Sequence, residues 1–157
     1  MKAAQKFTLA IGIAYVLIGT IGFIPALVSQ PESLEPVVRQ YGIASQYGYA
    51  LGLFPVNAPL NVIHITVGVF GIVAAISLDS ARFLSGQIGI YFSLLGLLGL
   101  IPVANTFFGL FPLFGMDVLL HGITGLLGIY FGFFATPSLL KLFKRELEED
   151  ATAAEVL

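Results

Sequence analysis

Four stretches of this chain run apolar for about twenty residues each, the length that crosses a bilayer as an α-helix, and short polar or Pro/Gly-rich breaks separate them. Spans are predicted over about 7–28, 58–78, 83–104 and 116–135. The first, Phe7–Val28, has 22 residues and no charge. It follows Lys2 and Lys6 as a signal-peptide core would. It exceeds the about 7–15 residues of such a core, so it is expected to stay as a span.

The breaks supply the connections. Residues 29–51 carry Pro31, Glu32, Glu35, Pro36, Arg39 and Gln40, which suit water rather than lipid. A short helix in the membrane interface is expected there, with Tyr41, Tyr47 and Tyr49 at headgroup level. Asn57 to Pro59 reads as a helix start, since proline is tolerated in a first turn. Asp79, Ser80 and Arg82 form a short link that makes the second and third spans antiparallel neighbours. Phe107 to Gly115 reads as a compact turn, and Asp117 is available to cap the last span. After a restart at Thr136 and Pro137, Leu139, Leu140, Phe143 and Leu147 recur opposite Lys141, Lys144, Arg145 and Glu148. This predicts an amphipathic surface helix over 137–150, with 151–157 a tail, beside a transmembrane domain over 1–136.

The apolar runs also repeat. Gly12, Gly19, Gly22, Ile24 and Pro25 recur at an offset of 77 residues as Gly89, Gly96, Gly99, Ile101 and Pro102. Gly52–Ile72 recurs at an offset of 57 as Gly109–Ile129, each copy passing from Gly-Leu-Phe-Pro to a histidine and then two glycines. The expected fold is therefore an all-α membrane protein of four transmembrane helices, a duplicated helical hairpin in a 2+2 parallel repeat, with the C-terminal amphipathic helix appended. Glycines three or four apart in each span predict close helix packing within the bundle, or self-association and contacts with other membrane proteins through the same faces.

Charge adds an orientation. Lys2, Lys6, Arg82, Lys141, Lys144 and Arg145 fall on one side of a four-span arrangement and Arg39 alone on the other. The positive-inside rule then puts both termini in the cytoplasm of a bacterial inner-membrane protein and the 29–51 connection outside. A composition of 57% hydrophobic and 10% charged residues names the lipid bilayer as the surrounding partner and gives no support to nucleic acid. With no cysteine, thiol chemistry and thiolate metal sites are excluded.

The candidate chemistry gathers at the outer ends of the second and fourth spans, in Asn57, Asn61, His64, Asn105, Asp117 and His121, with Thr106 and Thr124 nearby. His64 and His121 are the only histidines, and ionisable residues inside apolar spans point to function. Asp117 and His121 are four apart and Asn61 and His64 three apart, so each pair shares a helix face. The repeat puts both histidines at one depth and predicts that they face each other across the bundle axis. Such a pair could hold haem, a divalent metal or a proton; equally, the polar groups could cap helix starts and tie helices together, and no cofactor is predicted. No nucleophile with a base, phosphate loop or catalytic carboxylate pair is found, so the expected role is a non-enzymatic accessory or interaction protein. The alternative is a redox, proton or small-molecule transport component using the two histidines.

These residues resemble a bacterial family of small four-span membrane proteins known only as a domain of unknown function. In that family Gly-Leu-x-Pro-x-Asn leads to His-Asn-x-x-His in the second span, and Asp-Asn-x-x-His occurs in the fourth. Pro55, Asn57, Asn61, His64, Asp117 and His121 match, over a similarity of about Phe7 to Ala135. Leu60 replaces the family's earlier histidine and Val118 its asparagine, which counts against a site needing two histidines on the second span. The resemblance implies the four-span topology and no established activity.

Overall fold

A computed structural model describes residues 1–43 and 45–135. The amphipathic helix expected over 137–150 and the tail over 151–157 lie outside the described residues.

The first helix, α1 (Ala3–Ile21), starts directly after Lys2 and stops well short of residue 28. Pro25 accounts for the early stop, because it lacks an N–H and its ring clashes with the carbonyl four residues back. A 3₁₀ turn at Pro25–Leu27 follows, and then a strand, β1 (Val28–Ser29). The connection carries one short helix, α2 (Pro36–Tyr41), and a hairpin of β2 (Gly48–Ala50) and β3 (Phe54–Val56). β1 pairs antiparallel with β2, Val28 opposite Ala50, which makes a three-stranded sheet. The expectation of an all-α chain is corrected here. Tyr41 is exposed, but Tyr47 is buried against Val38 and Phe114, with its ring edge-on to Phe114 at 5.6 Å. Tyr49 donates to Glu35 Oε1 at 2.9 Å, and burial together with that carboxylate raises the phenol above its ordinary pKa, so it stays a donor.

The hairpin turns at Leu51 and Gly52, both with positive φ (53° and 71°), and Leu53 N–H closes it onto the Ala50 carbonyl. This is a type I′ turn, in which glycine carries the left-handed conformation without strain. Phe108 and Gly109 repeat it (56° and 83°), with Leu110 N–H donating to the Phe107 carbonyl.

The second long element, α3 (Ala58–Ala74), is capped by Asn57, whose side chain accepts from Leu60 N–H. α4 (Leu78–Gly99) starts earlier than residue 83 because Ser77 caps it, accepting from Ser80 N–H. Asp79, in the first turn, and Arg82 are thus part of a helix, not a link. α5 (Met116–Ile129) continues through a π-helical turn, Tyr130–Phe134, in which Ala135 N–H reaches the Tyr130 carbonyl.

α1 packs along α3 and α4 along α5, and the pairs meet through α1 and α4 around Tyr15, Ile88 and Phe92. Glycines set the closeness of each pair: a Cβ on Gly12 would lie 2.7 Å from the Gly68 carbonyl oxygen, and one on Gly89 2.7 Å from the Gly128 carbonyl carbon. Val62, Phe70, Ile123, Leu126 and Phe133 face outward, while Thr8, Asn61, His64, Ser85, Asp117 and His121 are buried. Apolar outside and polar inside suits lipid, where no water solvates an outward polar group. Among the described residues three helices are long and apolar enough to cross a membrane, Ala3–Ile21, Leu78–Gly99 and Met116–Phe134, and α3 is a shorter apolar helix.

Candidate functional site

The site sits where the two helix pairs meet. α3 contributes His64 and α5 contributes Asp117 and His121, all with almost no exposed surface. The imidazoles face each other with ring centroids 5.8 Å apart. One donor atom from each of His64, Asp117 and His121 can be chosen so that all lie within 4.8 Å of one another. Tyr15 from α1 and Phe92 from α4 wall the space, Tyr15 edge-on to His64 at 5.1 Å and Phe92 edge-on to His121 at 4.8 Å.

Hydrogen bonding within this group is incomplete. His121 Nδ1 lies 3.0 Å from the Asp117 carbonyl oxygen and 2.9 Å from its Oδ2. The bond is aligned with the carbonyl, and the carboxylate is held at ion-pair distance, neither oxygen receiving an aligned hydrogen bond among the described residues. An Nδ1–H donating to that carbonyl leaves Nε2 with its lone pair free. Both ring nitrogens of His64 are buried without any partner among the described residues. Tyr15 donates to Thr124 Oγ1 at 3.3 Å, so its hydroxyl is satisfied.

Asp117 does not cap α5. The N-cap is Gly115, and Asp117 stands in the first turn with its side chain turned inward to His121. A capping side chain must sit at the N-cap, where it can accept from N–H groups two and three residues on; Asp117 is two residues too late.

The other sequence-picked residues serve elsewhere. Asn57 is fully used, capping α3 through its oxygen and donating through Nδ2 to Ser45 Oγ and to the Leu110 carbonyl, which ties the two Gly-Leu-Phe-Pro turns together. Asn61 lies one turn before His64, packed against Gly22, and its Oδ1 has no partner among the described residues. Asn105 accepts from Leu113 N–H through its carbonyl and lines a cleft of about 590 Å³ with Glu35, Tyr49, Phe114 and Met116. Thr106 Oγ1 accepts from Gly109 N–H.

Sequence reasoning missed Tyr15. Its signal was a hydroxyl-bearing aromatic in the middle of an uncharged run, at the offset of 77 that pairs it with Phe92.

Residues 5–134 match a domain of unknown function, DUF4383. The chain belongs to that family. Neither a curated protein nor a solved structure matches it. Within this DUF4383 chain, Leu60 is buried against Phe111 and Leu113 at the position that the offset of 57 pairs with Asp117. The centre therefore has a carboxylate on one side only.

Proposed function

We propose that this chain is a four-span bacterial inner-membrane protein, built as two copies of a helical hairpin, whose buried centre binds a small cation. Equivalent contacts support the duplication. Gly12 abuts Gly71 and Ile72 as Gly89 abuts Gly128 and Ile129. Thr8 Oγ1 donates to the Ala4 carbonyl as Ser85 Oγ donates to that of Ala81. Tyr15 meets His64 edge-on as Phe92 meets His121. Every pair obeys the offsets of 77 and 57. The 17 residues of α3 stand at the lower limit of the about 17–25 that a span needs.

The observation that carries the binding role is His64. A histidine serving only to tie helices together would hydrogen-bond a neighbour, whereas this one buries two nitrogens that have no partner among the described residues, beside a carboxylate and a second imidazole. Leaving such a group unsatisfied costs about 1–3 kcal/mol, a penalty that a bound cation removes. An accessory protein with a purely structural interior needs no such centre. In ligand-free protein purified in detergent, His64→Leu should melt at the same temperature as the parent or higher, since leucine fills a similar volume and buries no orphan. A lower melting temperature overturns the binding role in favour of packing.

Orientation is tested separately. Six of the seven basic residues flank one side of the four spans. A periplasm-active reporter fused at Gln40 should therefore work, and a cytoplasm-active one at the C-terminus. Cytoplasmic activity at Gln40 would reverse the arrangement.

A further inference from the structure

We infer that the centre takes one divalent transition-metal ion, held by His64, His121 and the Asp117 carboxylate; this rests on reading the centre as a binding site. Two imidazoles and one carboxylate are borderline donors that suit zinc, iron(II), cobalt(II) or manganese(II). Calcium would want six to eight oxygens, which this centre does not offer, and copper(I) would want sulfur, of which the chain has no thiol. Donors about 2.0–2.2 Å from a shared ion lie about 3–4 Å apart, and one donor atom from each of the three residues already lies within 4.8 Å of the others.

The surroundings favour an ion over a larger group. Tyr15 lies against both imidazoles and Phe92 against that of His121, Tyr15 and Phe92 touch at 5.2 Å between ring centroids, and the imidazoles are themselves 5.8 Å apart, which leaves no slot for a haem macrocycle between the histidines. An ionised carboxylate in this interior lacks aligned donors, and a divalent cation supplies the missing countercharge. Asp117 and His121 lie on one helix face and His64 comes from the other hairpin, so the ion bridges the two copies and links metal occupancy to their association. Three protein ligands leave one position of a tetrahedral ion open to water or to an exchangeable partner.

The test uses the full chain in detergent, stripped with a chelator and titrated with cobalt(II) as a spectroscopic probe, then with zinc(II). The expected result is one cobalt per chain with visible d–d absorption, and a higher melting temperature with zinc. His64→Leu should weaken binding beyond the about 10–100-fold that loss of an orienting residue costs, and Asp117→Asn should weaken it by at least about 10-fold while the protein stays folded. No spectrum and no metal-dependent stabilisation of the parent would overturn the metal assignment, as would binding unchanged in His64→Leu. If the parent takes no metal while ligand-free His64→Leu melts no lower than the parent, the metal falls and the binding centre stands. If His64→Leu melts lower and the parent takes no metal, both fall.

Discussion

Alanine at Gly89 should destabilise the protein and loosen α4 from α5, while alanine at Gly122 should leave stability unchanged or slightly raised. The contrast isolates packing from propensity. At Gly89 the new methyl would lie 2.7 Å from the Gly128 carbonyl carbon and 2.9 Å from Ile129 Cα, both backbone atoms that cannot swing aside. The helices must separate along their length. Overpacking of this kind costs about 1–3 kcal/mol, and the helix propensity gained from alanine returns only about 1 kcal/mol. Gly12→Ala should behave alike, because its methyl would lie 2.7 Å from both the Gly68 carbonyl oxygen and the Ile72 nitrogen. Around Gly122 nothing lies within 4 Å of the added carbon, so only propensity acts. Thermal unfolding in detergent, followed by circular dichroism, measures all three. Equal melting of Gly89→Ala and Gly122→Ala would refute the close crossing of α4 and α5.

The second large effect is expected at Tyr15. Tyr15 is wholly buried and touches His64, Phe92 and His121, so it sits between the two helix pairs. Tyr15→Ala removes the ring and leaves a cavity that two rigid, glycine-locked pairs cannot collapse to fill; such aromatic-to-alanine changes cost about 3–5 kcal/mol. Tyr15→Phe should cost far less, about the 1 kcal/mol of a single hydrogen bond, here the one to Thr124. At the offset of 77 the chain already carries phenylalanine, Phe92. If Tyr15→Ala melts like Tyr15→Phe, the ring is not the wedge between the two helix pairs.

Both results depend on features of different legibility. The glycine positions could be read from the chain because a span sums its signal over many turns, and residues three and four apart share a face whatever the rest of the fold does. The convergence of His64 and His121, with ring centroids 5.8 Å apart, was legible from the constant offset of 57 between the motifs that carry them. The sheet was not legible. Strands of two or three residues are too short for an alternation to stand out, and Val28 finds Ala50 across a connection whose path no local pattern encodes. Tyr47, read as an interfacial ring, is buried because Phe114 comes from the far end of the chain to cover it.

A lipid-suited helical chain, the recurrence of its glycines and prolines at offsets of 77 and 57, and the two histidines within apolar runs could all be read from one dimension, since each follows from composition or from spacing along the chain. Where each polar group spends its hydrogen bonds is set by the packed arrangement of the helices and turns. Asp117 turns inward because Gly115, not Asp117, occupies the cap of α5. Asn57 is consumed by its own helix and by Leu110 fifty-three residues away. Among the described residues His64 is left with none, because Tyr15 presents its ring and spends its hydroxyl on Thr124, and the nearby Asp117 carboxylate makes no aligned hydrogen bond to it. Whether a buried donor or acceptor is satisfied depends on angles and distances to residues remote in the chain, so the centre's unsatisfied character exists only in three dimensions.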